Sequence, residues 1–565
     1  MAQLATKVVV FLLRMRILLG ALLLLLSLSV PAQPRDADSI RKWREDLAFF
    51  QRELPRRHHR DLVFHLPPAE LDRLVAQLWE DLPKLADHEI KVRLAEIVAR
   101  LGDRHGHTRV SLSNASAGFH MLPVNFHLYT DGLFIRAAAR EHSDAAGARV
   151  VAIGETPADE AFRRVLTITA GDNDLSRRAY AQELIGMPEV LRALGIVRTG
   201  VPADPVPLQL EKPDGTKTTI TIAGLEKLNG IEWVDVRASA KATSVFRRHP
   251  PANPYAEYIP ARNFWFEHVP ESRLLYVHYA GVQDTKEKSV AEFFKEVFAY
   301  ADTQPIEKFV IDVRVNGGGN NMLNGPIFRG LAARAETLAK HARFFVIIGR
   351  TTFSAAQNLV NAVDRDTAAI FVGEPTGGSP NHYGDSTSMT LPHSRLVVRA
   401  STLWWQDAHP HDPRPWVAPD IAAEFSSVDD REGRDPALEA ILRYTPAPSL
   451  TARLHEALAR GGKEETLKVY RAWRAEPATK YVSAEDELVS LGVSLFGANA
   501  EQAVAIFELN AEVHPRSWRA LEALGRAYAG TNKRDAAIAA YERALAIEPN
   551  AVTVLDRLAR LRSGS

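Results

Sequence analysis

Ile311-Asp312-Val313-Arg314-Val315-Asn316-Gly317-Gly318-Gly319-Asn320 decides how this chain folds. A short apolar run, a buried-strand pattern, ends in three consecutive glycines. Backbone without side chains can approach a ligand and point N–H groups at developing negative charge. A plain turn uses glycine in the same way. A phosphate loop is a third option, but the Gly-Lys-Ser/Thr ending is missing. Outward from this stretch the pattern repeats. Leu274-Leu275-Tyr276-Val277, Phe344-Phe345-Val346-Ile347-Ile348 and Ile370-Phe371-Val372-Gly373 read as further strands. Helical periodicity fills residues 291–301, 322–335 and 354–363. Continuous apolar strands separated by helices predict a buried, largely parallel α/β core.

Two more segments in this core carry chemistry. In Ile348-Gly349-Arg350-Thr351-Thr352-Phe353-Ser354-Ala355-Ala356-Gln357 a strand and a short turn lead to a serine that opens a helix. A helix N-terminus offers free N–H groups and partial positive charge beside that hydroxyl. Serine is also a favoured helix cap. Val372-Gly373-Glu374-Pro375-Thr376-Gly377-Gly378-Ser379-Pro380-Asn381-His382 is a polar, glycine-rich segment after a strand.

In this order the three segments resemble the S41 serine peptidases: the tail-specific proteases, the tricorn protease core and the interphotoreceptor retinoid-binding domains. The resemblance covers residues 36–425. It implies Ser354 as nucleophile, with the backbone N–H groups of Ala355 and of Gly317 or Gly318 as the oxyanion hole. The tail-specific branch pairs its serine with a lysine shortly downstream. Here Lys340 is followed by no lysine until Lys463, and position 379 is Ser. The tricorn-like branch uses a histidine from the N-terminal helical region. Leu101-Gly102-Asp103-Arg104-His105-Gly106-His107-Thr108 resembles that segment, with His107 as base and His105 as runner-up. A neutral imidazole can take the serine proton and return it to the leaving amine. The orienting acid is implied at Asp412, with Asp407 as alternative. His382, His409 and His411 are read as substrate-site or surface residues. No cofactor and no metal are implied.

The whole chain has 565 residues, a prior of about three or four domains. Residues 1–32 read as an export signal: Lys7, Arg14 and Arg16, an apolar run, then Val30-Pro31-Ala32. An uncleaved membrane anchor is the alternative, and either way the expected location is periplasmic or extracellular. Residues 33–118 are expected to be helical, with Leu71, Leu74, Leu78 and Leu82 at helical steps. Residues 119–228 are strand-rich and resemble a PDZ-like module. Residues 229–430 form the peptidase core. Residues 431–565 hold a repeat: Ala503, Phe507 and Pro515 recur as Ala537, Tyr541 and Pro549, the tetratricopeptide pattern.

Composition excludes other classes. Lys+Arg and Asp+Glu both total 69, which argues against a basic nucleic-acid binder. The absence of cysteine removes disulfides, thiolate metal sites and a cysteine nucleophile. The expectation is a multidomain α/β protein: an exported S41-type endopeptidase acting on peptides or unfolded chain ends, with a protein partner on its repeats. The alternatives are a catalytically inactive S41-fold scaffold that binds peptides or apolar ligands, and a non-peptide hydrolase using the same serine.

Overall fold

The structure, a computed structural model, describes residues 35–59, 66–113, 117–198, 201, 204–238, 263–336, 340, 342–410 and 412–563. The segment read as an export signal lies outside the described residues. No helix among them is long and apolar enough to cross a membrane.

Three helices come first, Ala37–Arg57, Pro68–Asp81 and Asp87–Ala99. The first is capped by Asp36, which accepts the Ser39 N–H at 2.9 Å. Strand β1 (Arg109–Val110) follows the Gly102 break. Then come β2 (Val124–Tyr129), β3 (Gly132–Ala139), β4 (Arg149–Ile153), β5 (Thr156–Pro157), β6 (Val206–Glu211), β7 (Lys217–Ile222) and β8 (Trp233–Asp235). They pair antiparallel in the order β2-β3-β4-β6-β7, with β5 on β4 and β8 on β3. Helices Ala158–Leu166, Asp174–Leu184 and Pro188–Ala193 lie between β5 and β6 in the chain. The N-terminal helices and this sheet share one apolar core, from Trp43 and Leu47 through Leu94 and Val98 to Ile135 and Leu208.

The second sheet contains β9 (Phe264–Val269), β10 (Leu274–Tyr279), β11 (Lys308–Asp312), β12 (Arg343–Ile348) and β13 (Ile370–Gly373). Its order is β16-β13-β12-β11-β10-β9, where β16 is Ile421–Ala422. All neighbours run parallel except β9, which lies antiparallel on β10. Alternate strand residues feed two cores. Leu275, Val277, Phe309 and Ile311 pack with helices Val290–Ala301 and Ala355–Asp366. Tyr276, Val310, Phe345 and Ile347 pack with Leu438 and Ile441 of helix Pro436–Arg443. The largely parallel core expected from the apolar runs is therefore present. One of its faces is closed by a helix beyond residue 430.

The sequence did not suggest the third sheet. Strands β14 (Asn381–Thr390) and β15 (Val397–Gln406) form a long hairpin, and β1 adds to β15. Asp46, fully buried, accepts the His393 and Ser394 N–H groups at 2.8 Å each, so the first helix holds the hairpin turn. Beyond residue 450 the chain is a helical stack with its own core. Gly492 packs against Phe507 and Gly525 against Tyr541, where a Cβ would stand 2.7 and 2.4 Å from the rings.

Candidate active site

The glycine stretch after β11 and the turn after β12 are clamped together by backbone oxygens. Thr352 Oγ1 donates to Val313 O at 2.9 Å, Thr351 Oγ1 to Arg314 O at 2.6 Å, and Phe353 N to Asn316 O at 3.1 Å. Gly318 has φ +98°, and a Cβ there would stand 2.6 Å from Ser354 Cβ and 3.0 Å from Ala355 N. Only glycine lets this loop lie against the serine. Ser354 has φ +51° and ψ −126°, a backbone state that costs free energy in a residue with a side chain. It stands at the N-terminus of helix Ala355–Asp366, yet its hydroxyl makes no capping hydrogen bond. Capping therefore does not explain this serine. A strained serine on a strand–turn–helix junction is the arrangement that presents Oγ outward in serine hydrolases.

The donors expected at the oxyanion hole separate. Gly318 N–H donates to Asn316 Oδ1 at 2.9 Å. The Ala355 and Gly317 N–H groups have no acceptor among the described residues, and Gly317 is exposed. Gly317 and Gly318, with Phe353, line a cavity of about 640 Å³. The cavity extends to Asn125, Phe126 and His127 of edge strand β2 and to Ala179, Tyr180 and Glu183 of helix Asp174–Leu184.

The motif residues around the serine brace it. Arg314 Nε donates to Asp312 at 3.1 and 2.8 Å, and its two Nη atoms donate to the two oxygens of Asp435 at 3.0 Å each. Tyr276 OH donates to Asp312. All four groups are buried, and the paired carboxylates hold the guanidinium firmly charged. Asp435 also caps helix Pro436–Arg443 by accepting the Leu438 N–H at 3.1 Å. Arg350 pairs with Glu374 and donates Nη1 to Leu128 O at 2.8 Å, tying the serine turn to β2 and to the third motif.

His107 is partly exposed beside these elements. Burial first, then His382, Arg109 and Arg399, push its pKa from 6.5 down to about 3. Its ring stacks near that of His382, centroids 6.1 Å apart and planes 20° apart. No hydrogen bond joins His107 to Ser354 Oγ among the described residues. Such bonds often form only when substrate orders a site. His105 is fully buried in a ring cluster, 3.2 Å from His58 Nε2 and stacked on Tyr383 at 4.3 Å.

Two expectations require correction. Asp412 does not reach His107. Its carboxylate accepts from Arg414 Nε and Nη2 at 3.0 and 2.9 Å, two residues away, and its backbone oxygen accepts from Arg104. Asp407, the alternative, instead accepts from Asn358 and Asn361 on the serine helix. Of the two readings given for His382, substrate-site or surface, the surface one fails: the residue is fully buried, with Nδ1 3.1 Å from Ser379 O and Nε2 unpartnered among the described residues. His409 is exposed, and His411 lies outside the described residues.

The sequence reading passed over Asp172, Tyr180, Arg109 and Arg399. Asp172 is 1% exposed, accepts the Gly106 N–H at 2.8 Å, and burial raises its pKa. Tyr180 stacks on Phe353 at 5.6 Å. Each lies in a separate stretch with no motif around it, and only the alternation of Arg109 with His107 hinted at a shared face.

The sequence matches no family model and no curated protein. Among solved structures the fold is similar to mature CPAF complexed with lactacystin, at 12% identity and TM-score 0.49, over 72% of this chain and 97% of that one. It is similar to the photosystem II D1 C-terminal processing protease at 14% identity and TM-score 0.35, over 71% of this chain and 96% of that one. It is similar to the tricorn protease at 15% identity and TM-score 0.31, over 71% of this chain and 36% of that one.

Proposed function

We propose that the chain is an exported serine endopeptidase of S41 type, acting on peptides or flexible protein chain ends. The observation that carries this reading is the strained, uncapped Ser354 at a helix N-terminus, held against the Gly318 backbone. Ser354 Oγ attacks the scissile carbonyl while His107 takes its proton. The developing oxyanion lies between the Ala355 and Gly317 N–H groups. His107 returns the proton to the leaving amine as the C–N bond breaks, and water then hydrolyses the acyl-enzyme by the same route. The Ser/His pair and the oxyanion donors are the proposed machinery, with Asp412 left as a partner of Arg414.

Edge strand β2 beside the cavity supports entry of an extended chain, added as a strand in the PDZ-like manner. The repeated glycine-on-aromatic contacts at Gly492 and Gly525 support the tetratricopeptide reading of the stack, and a protein partner for it. Cleavage of unfolded, fluorescently labelled casein by the full-length protein tests the activity. Ser354→Ala is expected to reduce it by at least ~10³-fold. Equal cleavage by the two proteins would sink the proposal.

A further inference from the structure

Asp172 and His382 are both buried, and each leaves one polar atom without a partner among the described residues, Asp172 Oδ2 and His382 Nε2. Such atoms cost free energy in a folded interior and call for a physical reason. Both side chains belong to one knot around Ser379. Ser379 Oγ donates to Asp172 O at 3.1 Å, and His382 Nδ1 lies 3.1 Å from Ser379 O. A carbonyl oxygen can only accept, so Nδ1 carries a hydrogen and Nε2 is the atom left to gain or lose a proton.

The knot is fastened to His107 from two sides. Asp172 Oδ1 accepts the Gly106 N–H at 2.8 Å, and its backbone oxygen accepts the Arg104 N–H at 2.9 Å. A Cβ at Gly106 would stand 2.9 Å from Asp172 Oδ1, so glycine brings the turn this close. From the other side the His382 ring stacks near the His107 ring, with centroids 6.1 Å apart. His107 faces three charged or titratable groups, His382 on β14, Arg109 on β1 and Arg399 on β15. Asp172 faces His382 and, more weakly, Asp103, whose charge is met by Arg177 at 2.6 Å. Burial drives Asp172 toward its neutral form, and His382 draws it back toward the carboxylate. Opposite charges on Asp172 and His382 therefore support each other, whereas like charges on His382 and His107 exclude each other.

We propose that Asp172 and His382 are positioning residues that keep His107 a free base in acidic surroundings: the Asp172 carboxylate holds a proton on His382, and the His382 cation bars a second proton from the adjacent imidazole. The inference rests on the peptidase reading and gives it an acid-tolerant working range. Neither residue touches the bond to be cut; both act through His107.

The test reads His107 without relying on activity. Full-length protein is treated with diethyl pyrocarbonate, which carbethoxylates only the unprotonated imidazole. The rate at His107 is followed by peptide mass from acidic to neutral pH, and its midpoint is expected below 6.5. With the rings 6.1 Å apart, His382→Gln is expected to raise that midpoint by on the order of one pH unit. Asp172→Asn keeps an oxygen that accepts from Gly106 and removes only the charge. It is expected to raise the midpoint as well, with thermal melting little changed, and to add nothing in the His382→Gln background. A midpoint unmoved by His382→Gln overturns the couple. So does an Asp172→Asn that lowers the melting temperature and leaves the midpoint in place, or one whose effect is the same with and without His382. Where Asp172→Asn does not fold, His382→Gln alone decides. Absence of casein cleavage by the parent protein, with these shifts intact, would fault the peptidase reading and leave the couple standing. Cleavage whose acid limb moves with the midpoint supports both.

Discussion

At Ser354 the chain accepts an unfavourable φ of +51° and a hydroxyl that caps nothing. A residue held this way is disposed for exposure of Oγ, and its neighbours follow from that. Adding a Cβ at Gly318 drives it to 2.6 Å from Ser354 Cβ. Gly318→Ala is therefore expected to lower kcat by at least tenfold, with folding retained, as measured by casein cleavage and thermal melting. His107 gives a prediction in pH. Its folded pKa lies below the ordinary 6.5, so the ring stays neutral on folding. Stability from this group is complete above 6.5 and is lost as pH falls from there toward 3. The acid limb of kcat/KM is expected below 6.5, and Arg399→Gln should move it upward. A limb unmoved by that change would contradict the coupling. Ser354, Gly317, Gly318 and His107 could be put forward from the sequence because each sits in a short local motif. An acid to orient His107 could not be read off in that way. Counting along the chain points to Asp412, but its carboxylate is taken by Arg414 two residues on. Arg109 and Arg399, which help to lower the His107 pKa, come from strands 290 residues apart, which no local motif reveals.

The elements that present these residues are held by buried ion pairs rather than by apolar contact alone. Arg314 joins the end of β11 to the cap of helix Pro436–Arg443 through two buried carboxylates. Arg314→Met leaves Asp312 and Asp435 buried without their cation. The expected loss is about 3–5 kcal/mol of stability by urea unfolding. Loss below about 1 kcal/mol would mean that the brace carries no weight. Strands β10 to β13 were legible because their apolar runs are buried on both faces. Hairpin β14–β15 was not: Asn381-His382-Tyr383-Gly384-Asp385-Ser386-Thr387-Ser388 has neither an apolar run nor clean alternation. It forms because β15 supplies the partner and Asp46 holds the turn.

Across the molecule, separate cores divide the work. The N-terminal helices, the antiparallel sheet and part of the hairpin share one core, and the parallel sheet has a core on each face. The stack beyond residue 450 packs on itself and meets the rest at Glu424, which accepts from Lys480 Nζ at 2.5 Å and Tyr481 OH at 2.7 Å, and at Trp416, whose ring meets Tyr481 edge-on at 6.3 Å. Tyr541→Ala is expected to cost about 3–5 kcal/mol within the stack. Casein cleavage should persist at temperatures where the variant stack has melted; loss of both at one midpoint would join the stack to the catalytic fold. The central claim is an activated Ser354 with His107 as its base. The most direct test is intact-protein mass after treatment with a fluorophosphonate. One adduct per chain, mapped to Ser354, absent in Ser354→Ala and at least tenfold slower in His107→Ala, is the predicted result. No adduct at Ser354 at any pH from mildly acidic to mildly alkaline, in a protein whose fold is intact, would contradict it.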